Sequence, residues 1–122
     1  ETMVATGYCP QGDVFEWVFH HALREPGPRR EEQLRPLTAQ IVDAVCCLHD
    51  FGIAHRDISM ENILVTRCSG DLQIKLIDYG MATLRRRVSG EMRGKDSYKA
   101  PELHRQFTVD TYLVDAFAVG VV

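Results

Sequence analysis

Apolar positions along the chain follow two rhythms. Leu34, Leu37, Ile41, Val45 and Leu48 recur three and four residues apart, the spacing that stacks side chains on one face of an α-helix. The stripe predicts a long helix with this face in the core. Pro36 has no N–H and crowds the turn before it, so the regular part is expected to start near it. Asp50-Phe51-Gly52 predicts the stop, with Gly52 as the C-terminal cap. Val14-Phe15-Glu16-Trp17-Val18-Phe19 predicts a shorter helix, and Asp13 before it suits an N-cap. The second rhythm is that of strands. Ile63-Leu64-Val65-Thr66 and Leu72-Gln73-Ile74-Lys75-Leu76-Ile77 predict two of them, with Cys68-Ser69-Gly70-Asp71 turning between.

The remaining segments are connectors. Residues 1–6 are short and mildly apolar and suggest a further strand. Gly7-Tyr8-Cys9-Pro10-Gln11-Gly12-Asp13 breaks it with glycine and proline. Residues 25–30 (Glu-Pro-Gly-Pro-Arg-Arg) read as a solvated turn. Pro101-Glu102-Leu103-His104 begins a short helix. Val119, Val121 and Val122 end the chain inside an apolar helix, which is expected to leave core surface uncovered.

Composition narrows the class without naming it. The 122 residues allow one domain with a real core. A net charge of -3 gives no polyanion-binding signal, so no nucleic acid partner is expected. No apolar run approaches a membrane span and no signal segment opens the chain, so no membrane partner is expected either. Cys9, Cys46, Cys47 and Cys68 lack C-x-x-C or zinc spacing. Cys46 and Cys47 read as small core or surface positions, and a reduced, intracellular and cytoplasmic compartment is expected. The bare pair His20-His21 is not read as a metal site. The start on Glu1 instead of Met suggests a processed or excised piece. Oligomeric state leaves no trace in the sequence.

The chemistry concentrates in His55-Arg56-Asp57-Ile58-Ser59-Met60-Glu61-Asn62-Ile63-Leu64. Asp57 could accept a hydroxyl proton, and Asn62 offers an oxygen to a hard cation from the same short loop. Asp78, in Ile77-Asp78-Tyr79-Gly80, adds a second hard ligand after an apolar run. Such oxygens suit Mg²⁺ that keeps some water and is shared with phosphates. Turn chemistry explains any one of these residues, but not the ordered set H-R-D-x4-N, a strand pair, D-Y-G and Ala100-Pro101-Glu102. That set resembles the eukaryotic protein kinase domain of Ser/Thr type. Small-molecule phosphotransferases of kinase-like fold usually read H-G-D and lack A-P-E, so Arg56 and Ala100-Pro101-Glu102 argue against them.

The resemblance implies an α+β fold: the mainly helical C-terminal lobe of a kinase with small β-hairpins and almost no N-terminal lobe. Residues 1–13 would be the end of the N-lobe and the hinge. Residues 14–77 would carry lower-lobe helices, catalytic loop and hairpin. Residues 78–102 would be the activation segment, and 103–122 the start of the lower-lobe helical core. The implied activity is phosphoryl transfer from ATP, with Mg²⁺, to Ser/Thr hydroxyls of protein substrates. Asp57 would be the base, and Asn62 and Asp78 the metal ligands. Thr6 would be the gatekeeper, with the Gly7 carbonyl and Cys9 amide on the adenine edge. Leu64 would floor the adenine, though it is equally a strand core residue. Asp13 would face the ribose or simply cap its helix, and both readings stay open. His55 and Tyr79 would stack behind the loop, and Asp115 would bond catalytic-loop amides. Glu102 normally pairs with a downstream arginine that this chain lacks.

Departures from the family pattern are informative. Ser/Thr kinases usually carry lysine two residues after the base, where this chain has Ser59. Tyrosine kinases carry arginine there or two further on, where this chain has Ser59 and Glu61. Lys95 in Gly94-Lys95-Asp96-Ser97-Tyr98-Lys99-Ala100-Pro101-Glu102 stands where threonine is usual. A reciprocal exchange would keep the catalytic cation, with Ser59 accepting from the Lys95 ammonium; a tolerated loss with Lys95 in solvent is the alternative. Glu91 occupies the position of the phosphorylated residue that pairs with the H-R-D arginine, and Ser89 is the rival phosphosite. Arg85-Arg86-Arg87 is expected to be solvated. The sequence contains no G-x-G-x-x-G and no phosphate-anchoring lysine, so the isolated chain is expected to be inactive. The competing class is a truncated or pseudokinase module that acts by protein interaction.

Overall fold

A computed structural model describes residues 6–21, 25–89, 93–105 and 108–122. The helices are α1 (Val14–His20), α2 (Pro28–Asp50) and α3 (Thr111–Val121). Strands β1 (Ile63–Cys68) and β2 (Asp71–Leu76) form one antiparallel sheet, and β3 (Arg87–Ser89) and β4 (Thr108–Asp110) another. Helices and small antiparallel sheets follow one another without parallel crossovers, which is the expected α+β class. Of the strand expected over residues 1–6, only Thr6 lies within the described residues, and it is irregular.

The principal core is where the two sequence rhythms meet. Val14 and Trp17 of α1, Leu37, Ile41 and Val45 of α2, and Ile63 and Val65 of β1 pack with Ile58 and Ala118. Helix α2 begins at Pro28, eight residues before the expected start at Pro36. Pro28 follows Gly27 at the first helical position, where a missing N–H costs nothing. Pro36 is exposed, so water can take the carbonyl that its ring leaves without a donor, and the helix continues past it. The stop falls where it was expected. Gly52, at φ 76°, donates to the His49 carbonyl at 2.9 Å, and Ile53 donates to Leu48 at 2.9 Å. This double closure is the Schellman arrangement, and its left-handed residue favours glycine.

Strand β1 pairs with β2 from Ile63↔Leu76 to Cys68↔Asp71. The turn between them sets Ser69 at φ 53° and Gly70 at φ 95°, the left-handed pair that matches strand twist in a two-residue hairpin. On its other side β2 is finished by a side chain: the Gln40 amide donates to Leu72 O at 3.0 Å and accepts from Ile74 N at 3.1 Å. Helix α2 thereby clamps the free strand edge.

The sequence reading missed β3 and β4. Val88 and Val109 face each other across that pair, and both join a second core with Ala100, Leu103 and Val114. Helix α3 starts at Thr111, where Asp110 caps it by accepting from Tyr112 N at 3.0 Å. The arginine run is exposed, as expected, and Arg86 in addition makes two contacts with the start of α3. Its Nε donates to Asp110 Oδ2 at 2.9 Å, and its guanidinium lies 5.0 Å from the Tyr112 ring centre. Cys9 is buried, whereas Cys46, Cys47 and Cys68 lie on the surface. Among the described residues, no helix is long and apolar enough to cross a membrane.

Candidate active site

The loop between α2 and β1 hangs from one carboxylate of α3. Asp115 is 1% exposed, and it accepts from His55 N at 2.8 Å and from Arg56 N at 2.7 Å. His49 Nε2 lies 3.0 Å from the same carboxylate, and the His49 ring stacks on Tyr112 at 4.1 Å. Three polar partners offset the cost of taking the carboxylate out of water. They also hold Arg56 at φ 68°, a conformation that costs a non-glycine residue roughly 1–3 kcal/mol. Arg56 is itself buried.

His55 fixes the next stretch. Its Nδ1 accepts from Asp57 N at 3.3 Å, and its Nε2 is 3.0 Å from Ile77 O. The tautomer protonated on Nε2 satisfies both contacts. The ring therefore bridges the Asp57 loop to the residue preceding Asp78. Tyr79 meets His55 behind the loop, with ring centroids 5.0 Å apart and a tilt of 56°. Tyr79 is about half exposed and its hydroxyl can reach water, while partial desolvation still raises its pKa.

Asn62 locks Asp57. Its Nδ2 donates to Asp57 O at 2.8 Å and to Asp57 Oδ2 at 3.0 Å. Both bonds use the amide nitrogen, which leaves the Asn62 side-chain oxygen for another partner. Ile77 N donates to Asn62 O at 3.0 Å, so the strand end carrying Asp78 is tied to Asn62. Asp78 adopts φ 62° and accepts from Gly80 N through Oδ1 at 3.2 Å. Its exposed carboxylate keeps its other oxygen uncommitted among the described residues. Two hard oxygens on adjoining segments fit Mg²⁺, which is ordinarily held by one or two protein groups together with substrate phosphates. Among the described residues no cluster of three or more His, Cys, Asp or Glu forms a cage for a metal.

The segment around Gly94 closes over this loop. A Cβ on Gly94 would lie 3.1 Å from the Arg56 carbonyl and 3.9 Å from Asp57 Oδ1, and its φ is 91°. Beyond it, Lys95 Nζ donates to Ser59 Oγ at 2.9 Å and pairs with Glu61 Oε2 at 3.2 Å. Glu61 is held below the usual carboxylate range by a backbone hydrogen bond; desolvation opposes this, and Lys95 and the Ser59 hydroxyl reinforce it. Ser59 and Lys95 are thus in contact.

The residues assigned to the nucleotide base lie along the α1 entrance. Thr6 and Gly7 are exposed, and buried Cys9 places its Sγ 3.9 Å from Gly7 O. Asp13 forms a bridge with Leu64, and its Oδ1 accepts from Glu16 N at 2.8 Å. The capping contact is therefore present, and the second carboxylate oxygen is left for another role. Leu64 is partly buried and pairs with Lys75. Ser89 is exposed at the end of β3, and Glu91 lies outside the described residues. No local pattern singles out His49, whose contact with Asp115 spans 66 positions. A cavity of about 470 Å³ between α1, α2 and the end of α3 is lined by Phe15, Phe19 and Val121 among others; it does not include Asp57, Asn62 or Asp78.

Comparison with known proteins agrees with this geometry. A family model described as the protein kinase domain matches residues 1–122. Serine/threonine-protein kinase KSP1 of Saccharomyces cerevisiae is 32% identical over 130 residues, covering 100% of this chain and 12% of that protein. Probable serine/threonine-protein kinase 2 of Plasmodium falciparum is 32% identical over 116 residues, 94% of this chain and 22% of that protein. Testis-specific serine/threonine-protein kinase 3 of Mus musculus is 34% identical over 115 residues, 91% of this chain and 40% of that protein. The chain spans less than half the length of each of these relatives. A loop carrying Asp57 and slung from a buried aspartate, two hard oxygens beside it and a match along every residue lead to one assignment: the chain belongs to the protein kinase family.

Proposed function

We propose that this chain is the catalytic core of a serine/threonine-protein kinase, which in its complete domain transfers the γ-phosphoryl group of ATP to protein hydroxyls. The observation that carries this reading is the double bond from Asn62 Nδ2 to Asp57 at 2.8 and 3.0 Å. It fixes a carboxylate at the mouth of the loop and keeps the asparagine oxygen facing away from it. Asp57 accepts the proton of the attacking hydroxyl and aligns its oxygen with the phosphorus. Its carboxylate needs no covalent role, because positioning and charge stabilisation supply most of the acceleration in phosphoryl transfer. Asn62 and Asp78 would hold Mg²⁺, which when bound would neutralise phosphate charge.

The finer assignments belong to the same proposal. Backbone groups of Gly7 and Cys9 bond the adenine edge, Thr6 borders it and Leu64 packs beneath it. Asp13 meets the ribose through the oxygen that its capping bond leaves over. Residues 1–13 act as hinge and 78–102 as activation segment. The serine/threonine preference is supported by the relatives' names and by the lack of arginine at positions 59 and 61.

The test is turnover by the longer protein that contains this chain. Asp57→Asn and Asp78→Ala should each lower kcat by orders of magnitude while the fold persists. Near-normal turnover in Asp78→Ala would remove the metal assignment. Near-normal turnover in Asp57→Asn would remove the base.

A further inference from the structure

We propose that Lys95 supplies the catalytic cation of this kinase, reaching the transferring phosphoryl group from the Gly94 segment with Ser59 as its positioning residue. The inference rests on the catalytic reading of Asp57 given above. Phosphoryl transfer spreads negative charge over the equatorial oxygens of the transition state, and a fixed cation nearby stabilises it. Between Asp57 and Asn62 the loop carries two carboxylates, Asp57 and Glu61, and no lysine or arginine. Arg56 is turned into the protein. Any side-chain cation that acts beside the metal must therefore come from another segment.

The geometry brings it there. Gly94 has no side chain, so its backbone sits against the Arg56 carbonyl and within a residue's length of the Asp57 carboxylate. Lys95 then projects its ammonium onto Ser59 Oγ at 2.9 Å, two residues beyond the base. An ammonium has three donors. Ser59 and Glu61 engage two, at 2.9 and 3.2 Å, and the third is left for a phosphate oxygen. The side chain is 40% exposed, so a substrate can reach it.

A mere surface tether explains less. The Lys95–Glu61 pair is half exposed on both sides, and such pairs contribute little. Ser59, by contrast, is 0% exposed. A hydroxyl taken wholly from water needs partners; its oxygen accepts from the Lys95 ammonium, and its proton goes to the Glu61 carboxylate. Lysine's long stem and compact charge suit a reach across the cleft from either wall. Because Nζ and Oγ meet, exchanging the two side chains should return the charge to nearly the same place.

The experiment uses the full-length kinase, with Asp57→Asn as the reference. Lys95→Met should lower kcat about 10²-fold, the usual loss for one transition-state donor, and leave KM for ATP within about twofold. Lys95→Thr should fall likewise, and adding Ser59→Lys should recover at least about tenfold of the loss, a coupling that independent sites do not show. Turnover that depends on Asp57 yet is untouched by Lys95→Met overturns this inference alone. Wild-type enzyme with no Asp57-dependent turnover overturns the catalytic reading, and this inference with it. If Lys95→Met does not fold, the exchanged pair decides: recovery by lysine at position 59 supports the assignment, and a folded but inactive exchange overturns it.

Discussion

Asp115 shows how much a single side chain can organise. It is buried, and its two oxygens receive two consecutive amides of the loop that presents Asp57. Replacing it by asparagine swaps an acceptor for a donor that faces an N–H. Hydrogen bonds to charged groups contribute about 1.5–3 kcal/mol each, so Asp115→Asn should destabilise the complete domain by at least that much. A urea titration measures it, and an unchanged midpoint would show that the loop is held elsewhere. The residues of the proposed site could be singled out at this scale, because Asp57, Asn62 and Asp78 sit at fixed spacing within short segments. Arg56 at positive φ was not legible, since arginine has no preference for that region. Nor was the Asp115–His49 contact, which depends on how α3 meets the end of α2.

At the level of elements, periodicity recovered α1, α2, β1 and β2, because each buries a face or a run long enough to read. It failed for β3 and β4. Arg87-Val88-Ser89 and Thr108-Val109-Asp110 contain one apolar residue apiece, too few to alternate, and they pair only because tertiary contacts seat both valines. The start of α2 was misplaced because an interior proline is costly when buried and tolerable when solvated. The α3 start offers a test. Burial disfavours the ionised Asp110 carboxylate, but Arg86 and the amides of Tyr112 and Leu113 outweigh it and the pKa falls below 3.8. A carboxyl with a lower pKa in the folded state stabilises above its unfolded value, and that contribution is lost as pH falls through the folded one. Asp110→Ala should therefore cost about 1 kcal/mol at neutral pH and progressively less in acid. Thermal midpoints across pH 2–7 would show the gap closing; a gap constant with pH would contradict the capping role.

For the molecule as a whole, the apolar cavity of about 470 Å³ beside α1 and the end of α3 leaves large side chains open to solvent. Phe15, Phe19 and Val121 are 54, 48 and 42% exposed along it. Exposed apolar surface of this kind binds hydrophobic dyes and promotes association. The purified 122-residue chain should therefore enhance dye fluorescence and be poorly soluble. It should also transfer no phosphate from ATP, since it contains no glycine-rich phosphate loop or anchoring lysine. Phosphate transfer abolished by Asp57→Asn, or a dye-silent chain, would contradict these expectations. Asp115 has one further consequence here. Since it carries the His55 and Arg56 amides on α3, those two protons can exchange with deuterium only when the loop lifts off the helix. Their exchange should track the slowest amides of α3, not the exposed surface around them. Mutations that raise resistance to unfolding in this region and mutations that alter turnover would then be drawn from the same few positions, so neither property can be bred without the other.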